Sequence, residues 1–305
     1  MKKVVRILLG VVFLFVVVAL AALFIFDSKY QFLRSGPEVS HESLVRPDTS
    51  VRIVARPEAA RELIASAFRG QAPPDWVLSR VLPHEVAVVL TPHLDTGRLE
   101  VDLFCNPQRL GPVISEQSAS LGLDQAYPFI TWNSDRLANR ERGVLVQDGY
   151  LDMEQNVRDA VHRHWGTLSQ LSRPRVEGSH VVEAVADNRD GTLFALLMTL
   201  NAKGLLELPI AEEDLAKGLM PIANVRVMAD PQSRETIALR LVVDCVPQAE
   251  PGQITATSFL IGGLLGQASV VLKDAYNVDF TGTKKAEGQT IVADYTLSPI
   301  QRLLP

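Results

Sequence analysis

Residues 103–115 read LFCNPQRLGPVIS, and residues 243–255 read VDCVPQAEPGQIT. These segments contain the only two cysteines of the chain, and each cysteine stands two residues before a Pro-Gln pair. In each segment Gly and Pro then follow as neighbours, in opposite orders, and an isoleucine stands nine residues after the cysteine. Four identities at a fixed spacing indicate an internal duplication.

A strand pattern precedes each cysteine. Residues 98–105 and residues 235–245 alternate apolar and polar side chains at the strand period of two. The same order of elements surrounds both segments, namely a hairpin, an exit loop and a helix. This order predicts an α+β fold, with an N-terminal transmembrane helix followed by two duplicated lobes. Each lobe is expected to be an antiparallel sheet of hairpins covered by helices.

The chain has 305 residues, which is long enough for two folded units with separate cores. The predicted organisation therefore has five parts. They are a transmembrane anchor (1–26), a spacer (27–47), a first α+β lobe (48–165), an inter-lobe link (166–180) and a second α+β lobe (181–305).

The anchor is predicted from residues 7–26, ILLGVVFLFVVVALAALFIF, which contain no charged residue. Twenty helical residues span roughly 30 Å, the thickness of the hydrocarbon core of a bilayer. Three basic residues precede this run and an acidic residue follows it. The positive-inside bias then predicts a cytoplasmic N-terminus in a bacterial inner membrane, with residues 27–305 in the periplasm. A cleaved signal peptide is the alternative, because Ala19 and Ala21 form a small-x-small site.

The net charge of the part that follows the anchor indicates which classes of partner it is suited to bind. Three of the 30 basic residues and none of the 35 acidic residues lie before residue 27, so the remainder carries 27 − 35 = −8. Nucleic acids and anionic lipid surfaces are bound by basic faces. The composition therefore predicts no nucleic-acid partner.

The most unusual segment after the anchor is residues 251–272, which contain no charge. Within it Ser258, Gly262 and Gly266 recur every four positions. Small residues at this spacing let another backbone approach closely. We expect a helix over about 253–276 that is buried against its sheet on one side and against the other lobe, or a partner, on the second side. Its small-residue face is expected to contact a protein partner or to border a cavity for an apolar ligand or lipid.

Both cysteines are predicted to end the inward face of a strand, where a free cysteine behaves as a small hydrophobe. Buried free thiols at Cys105 and Cys245 are the favoured interpretation, and a disulfide between them is the alternative. Neither belongs to a Cys-x-x-Cys pair that would lower its pKa.

The sequence contains no strong motif for a metal, a cofactor or catalysis. His162 and His164 are two residues apart, so on a helix they point in opposite directions. The stretch ADNRDG (186–191) has ligand-type residues, but Leu197 stands where a calcium loop requires a glutamate. A turn with Gly191 at positive φ is the preferred interpretation.

These observations favour a membrane-anchored envelope protein that acts by binding or scaffolding a protein partner, without catalysis. A carrier or sensor of an apolar ligand or lipid, using residues 251–272, is the first alternative. A periplasmic hydrolase with a catalytic triad scattered along the sequence is the second, because triads need no sequence motif.

Overall fold

The computed structural model of the chain describes residues 40–67, 73–106, 129–133, 145–165, 176 and 178–302, apart from 205, 207 and 209. The predicted anchor, and the helix predicted after the first cysteine segment, lie outside this part of the chain. The described strands are β1 (Val51–Ala55), β2 (Glu85–His93), β3 (Arg98–Asn106), β4 (Thr131–Trp132), β5 (Leu145–Asp152), β6 (Val182–Asp187), β7 (Ile222–Pro231), β8 (Ile237–Cys245), β9 (Asp279–Glu287) and β10 (Thr290–Ser298).

Six α-helices accompany these strands in the described residues. They are α1 (Arg61–Ala67), α2 (Asp75–Val81), α3 (Gln155–His164), α4 (Thr192–Ala202), α5 (Glu212–Leu219) and α6 (Pro251–Tyr276). Short 3₁₀ turns occupy His41–Leu44, Pro57–Ala60 and Ile300–Arg302. The fold is therefore α+β with a large antiparallel sheet, as the sequence predicts.

The strands form one ten-stranded sheet in the order β4-β5-β3-β2-β1-β6-β7-β8-β10-β9, and every neighbouring pair is antiparallel. Outward from the central β1–β6 pair, the two halves of the chain follow the same order. The first half runs β1, β2, β3, β5, β4, and the second runs β6, β7, β8, β10, β9. Cys105 and Cys245 both lie at the end of the third strand outward, β3 and β8.

The prediction of two lobes with separate sheets differs from this arrangement. Strand β1 pairs with β6 over five residues, from Val51↔Ala186 to Ala55↔Val182, and this pairing joins the two halves. The physical reason is that β1 and β6 would each be an edge strand in a separate lobe. Pairing them satisfies the backbone groups of two edges at once.

The two faces of the sheet have different surroundings. Helices α3, α4, α5 and α6 pack on one face, the helix face, around buried side chains such as Phe194, Val243 and Ile291. The opposite, open face of the second half carries exposed ion pairs such as Arg240–Asp294. In the first half the 3₁₀ turn His41–Leu44 lies on this side, where Leu44 packs against a small buried cluster. One apolar face and one polar face are usual in antiparallel sheets.

Candidate functional site

Helix α6 has strong signals at both ends. Pro251 occupies its first turn, and Glu250 and Gln253 form a capping box in which the Glu250 amide donates to Gln253 Oε1 at 2.9 Å. At the other end Asn277 adopts a left-handed conformation with φ 51°, and its amide donates to the carbonyl of Lys273 at 2.9 Å. The helix has 26 residues, so it is about 39 Å long.

One side of α6, its inner face, is part of the protein core. Ile254, Thr257, Leu260 and Ile261 are buried there. The hydroxyl of Thr257 donates to the carbonyl oxygen of Gly218, in α5, at 2.8 Å. A Cβ on Gly218 would stand 2.5 Å from Leu260 Cδ2, so the glycine lets the two helices approach closely.

The side of α6 next to β9 is also occupied. The ammonium group of Lys284 on β9 donates to the carbonyl oxygen of Ser258. A Cβ on Gly262 would lie 2.6 Å from the same nitrogen. Burial lowers the pKa of Lys284. The missing side chain at Gly262 therefore lets β9 of this chain, through Lys284, approach α6 closely.

The remaining side of α6, its free face, is apolar and exposed. We define the free face as Ala256, Phe259, Gly263, Gly266 and Val270. Phe259 is 76% exposed and Val270 is 59% exposed. Apart from the adjacent residues and the nearby backbone of α6 itself, no atom of the described residues lies within 4 Å of a Cβ added at Gly263 or Gly266. At 100° per residue these positions centre about 180° from the buried Ile261, so the free face points away from the sheet.

Ser258, Gly262 and Gly266 were expected to share one contact face, and the structure separates them. Ser258 and Gly262 face Lys284 of β9, whereas Gly266 lies on the free face. The reason is that a spacing of four residues advances by about 40° around a helix at each step. Burial of a second side of α6 against a partner stays a prediction.

Helix α6 is also, among the described residues, the one helix long and apolar enough to cross a membrane by length and composition. Only 22% of its most apolar window is buried. Its inner face nevertheless packs against α5 through Thr257 and Leu260. The structure therefore shows α6 as an outer helix of the folded part.

The nearest approach to a catalytic arrangement in the described residues involves His41 and Glu85. The backbone amide and ring Nδ1 of His41 both lie 2.8 Å from Glu85 Oε1. Burial pushes the pKa of Glu85 up, but hydrogen bonds from the His41 side chain and backbone hold it below its ordinary value. Ser40 Oγ lies 3.4 Å from the same Nδ1. A triad needs the serine on the other ring nitrogen, so this cluster fastens residues 40–44 to β2.

The two cysteines are free thiols, of which Cys245 is buried as predicted and Cys105 is half-buried. Strands β3 and β8 are five positions apart in the sheet, which corresponds to roughly 24 Å and is too far for a disulfide. Burial raises the pKa of Cys105 to about 11, and burial together with Asp244 raises that of Cys245. Both groups are therefore protonated and weakly nucleophilic at neutral pH.

The loop at residues 186–191 is the predicted turn. Gly191 has φ 78°, and Asp190 Oδ1 accepts hydrogen bonds from the amide and the hydroxyl of Thr192 at the start of α4. A Cβ on Gly191 would lie 2.8 Å from the ring of Trp165. The carboxylate of Asp187 is held by Arg189. The described residues contain no group of three or more His, Cys, Asp or Glu side chains that could hold a metal ion.

Comparisons with known proteins add little. No family model matches the chain, and no curated protein matches it. Among solved structures the chain is similar to crystal form I of TP0453, with 11% sequence identity and a TM-score of 0.36. That similarity covers 88% of this chain and 96% of TP0453. A TM-score this low supports no inference about this protein.

Proposed function

We propose that this chain is a single-pass membrane protein of the bacterial envelope that acts by binding, without catalysis. In this proposal residues 7–26 cross the inner membrane and residues 27–305 lie in the periplasm. The uncharged run and the basic residues before it support this topology. The protein then works as a module held at the membrane surface.

The observation that carries the proposal is the free face of α6. Large apolar side chains such as Phe259 and Val270 are exposed there on one continuous helix surface. Contiguous exposed apolar surface on a folded protein marks an interaction site, because its burial against a partner is favourable. The free face has no titratable side chain, so it is suited to apolar contact and not to acid–base chemistry.

The shape of the free face supports contact with an extended surface. Sites for small apolar ligands are concave and enclose most of the ligand. The free face is instead the outer side of a helix, and within the described residues Gly263 and Gly266 face open space. This geometry supports docking or scaffolding over enclosure of a ligand beside α6.

A photoreactive benzophenone analogue of phenylalanine at position 259 tests the proposal in native membranes. The matched control carries the analogue at Arg240, whose side chain is 58% exposed on the open face of the sheet. We expect a lipid or protein adduct at 259 in several-fold higher yield than at 240. Equal yields at the two positions would overturn the proposal.

The apolar-ligand alternative has one observation in its favour at a different place. Ile53 is 38% exposed although it lies on the central strand β1, between Val88 and Ala184 in register. An acyl chain could lie over it. Mass spectrometry of the purified full chain tests this candidate. We expect an apolar molecule to co-purify with wild type and to be lost from Ile53→Gln, and wild type without such a molecule contradicts it.

We also propose that the two halves arose by duplication. The shared strand order supports it, as do the equivalent places of the cysteines. Cys105 pairs with Val86 of β2, and Cys245 pairs with Ile222 of β7. The experimental test is a crystal structure, in which superposition of the two halves should align Cys105 with Cys245. A superposition that aligns other residues with them contradicts the duplication.

A further inference from the structure

The free face forms an apolar strip on the outside of the molecule. From Ala256 to Val270 it extends over about 21 Å of helix, and no charged residue occurs in residues 251–272. Since α6 covers the helix face of the sheet and its free side points outward, this strip can contact a flat surface without obstruction from its own sheet. A strip with these properties fits a planar apolar boundary.

The length of chain before the described residues brings such a boundary within reach. Thirteen residues, 27–39, connect the predicted membrane span to Ser40. Fully extended, they reach about 45 Å. His41 fastens the start of the described chain to Glu85 of β2, on the side of the sheet opposite the helices. A sheet with one helix layer is roughly 25 Å thick, so the tether is long enough to pass around it.

Tethering also reduces the affinity that the free face needs. A second contact made by a molecule already held at a surface occurs at an effective concentration of about millimolar for short flexible linkers. A face with one exposed aromatic side chain and a few small or branched residues binds an isolated surface only weakly. If its own chain holds it next to a membrane, the same face needs only a weak intrinsic affinity to stay docked.

The charges near α6 indicate which kind of lipid surface it suits. Lys273 pairs with Asp279 at 2.6 Å, and Lys285 pairs with Glu287 at 2.6 Å. The chain after residue 26 carries a net charge of −8. Electrostatic attraction to anionic headgroups is therefore not the source of binding, and the contact depends on apolar burial.

We infer that the free face of α6 docks on the bilayer in which the chain is anchored, at the boundary between zwitterionic headgroups and acyl chains. The inference rests on the proposed function and names the partner of its binding surface. Docking in this way places the open face of the sheet, with Arg240 and Asp294, toward the periplasm.

The test uses the full chain in nanodiscs of phosphatidylcholine. Val270→Cys carries an environment-sensitive fluorophore, attached in a Cys105→Ser background because that native thiol is half-buried, whereas Cys245 is buried. Arg240→Cys, on the open face, is the matched control. We expect brominated phosphatidylcholine to quench the label at 270 several-fold more than the label at 240, and equally at low and high salt. Equal quenching at the two positions overturns the inference.

A variant sharpens the result. Phe259→Asp introduces a charge at the more exposed of the two large side chains of the free face and leaves the inner face intact. We expect it to reduce quenching at 270 by about threefold or more, with an unchanged thermal unfolding midpoint. Unchanged quenching in this variant contradicts the inference.

The alternative occupants give different outcomes. If the fluorescence of the label at position 270 changes only in nanodiscs that hold two copies of the chain, the inference is overturned in favour of a dimer. Absence of quenching, together with a benzophenone adduct to a protein in native membranes, overturns it in favour of a protein partner and leaves the proposed function standing. If alkaline carbonate extracts the chain from membranes, the anchor is wrong and the proposed function fails with it.

Discussion

The two sides of α6 are both uncharged but have opposite surroundings. Ile261 on the inner face is 6% exposed, whereas Phe259, two residues away, is 76% exposed. The inner face is buried because α5 supplies a surface for it, with Gly218 allowing Leu260 to approach. The free face has no such neighbour among the described residues. The comparison shows that the burial of an apolar helix side depends on a neighbouring element, which the described residues supply on the inner side only.

The largest difference between the two sides should appear in stability. Leu260→Ala removes a buried side chain from the core cluster, and we expect a loss of about 2–5 kcal/mol in the free energy of unfolding. Phe259→Ala should change it by less than about 0.5 kcal/mol, because that side chain is exposed. Urea unfolding of the detergent-solubilised chain measures both. Comparable losses of unfolding free energy in Leu260→Ala and Phe259→Ala would show that both sides of α6 are equally buried.

Glycine substitutions test the same comparison at the backbone. Gly218→Ala places a Cβ 2.5 Å from Leu260 Cδ2, and we expect it to cost about 1–3 kcal/mol. Gly266→Ala meets open space and gains helix propensity, so we expect stabilisation of up to about 1 kcal/mol. Thermal unfolding distinguishes the two signs. Destabilisation by Gly266→Ala would indicate that the free face is covered within the chain.

A hydroxyl pair on α6 gives a smaller effect. Thr257→Val removes the hydrogen bond to the carbonyl oxygen of Gly218 in a fully buried position, and we expect a loss of about 1 kcal/mol. Thr255 donates at 2.9 Å to Pro251 within the helix and is exposed, so Thr255→Val is the matched control. Its unfolding free energy should stay close to wild type. A larger loss for Thr255→Val contradicts the assignment of the two sides.

The smallest expected effect is a pH dependence at Lys284. Burial lowers the pKa of this group in the folded state, so in alkaline solution the unfolded chain holds the proton more tightly. The stability should therefore rise slightly as the pH increases toward the ordinary lysine value of 10.5. The free energy of unfolding of the wild type, measured at pH 8 and pH 10, should increase slightly with pH. That of Lys284→Met should lack this increase. A fall in the free energy of unfolding of the wild type relative to Lys284→Met over this pH range would contradict the prediction.

Much of the fold could be predicted because strand alternation is a local signal. The strand patterns at residues 98–105 and 235–245 correspond to β3 and β8. Helix α5 was missed although three acidic residues open its first turn. The pairing of β1 with β6 has no local signal, since it depends on two edges that meet only in the folded chain.

The proposed binding surface could be predicted only in part. The uncharged residues 251–272 pointed to α6, and the spacing of small residues pointed to a close contact. Sequence spacing could not show that the side chain of Lys284, on β9, fills the space where a Cβ on Gly262 would lie. Nor could it distinguish Phe259 from Leu260, because both belong to the same apolar run. Only the position of α5 decides which of the two is buried.

The central claim is that the free face of α6 is covered in the membrane, and hydroxyl-radical footprinting of the full chain in native membranes tests it most directly. Phe259 and Phe194 have the same intrinsic reactivity, but their exposed fractions in the folded chain are 76% and 0%. Phe259 should be oxidised about as slowly as Phe194 if the free face is covered. Oxidation of Phe259 at the rate of a solvent-exposed phenylalanine would contradict the claim.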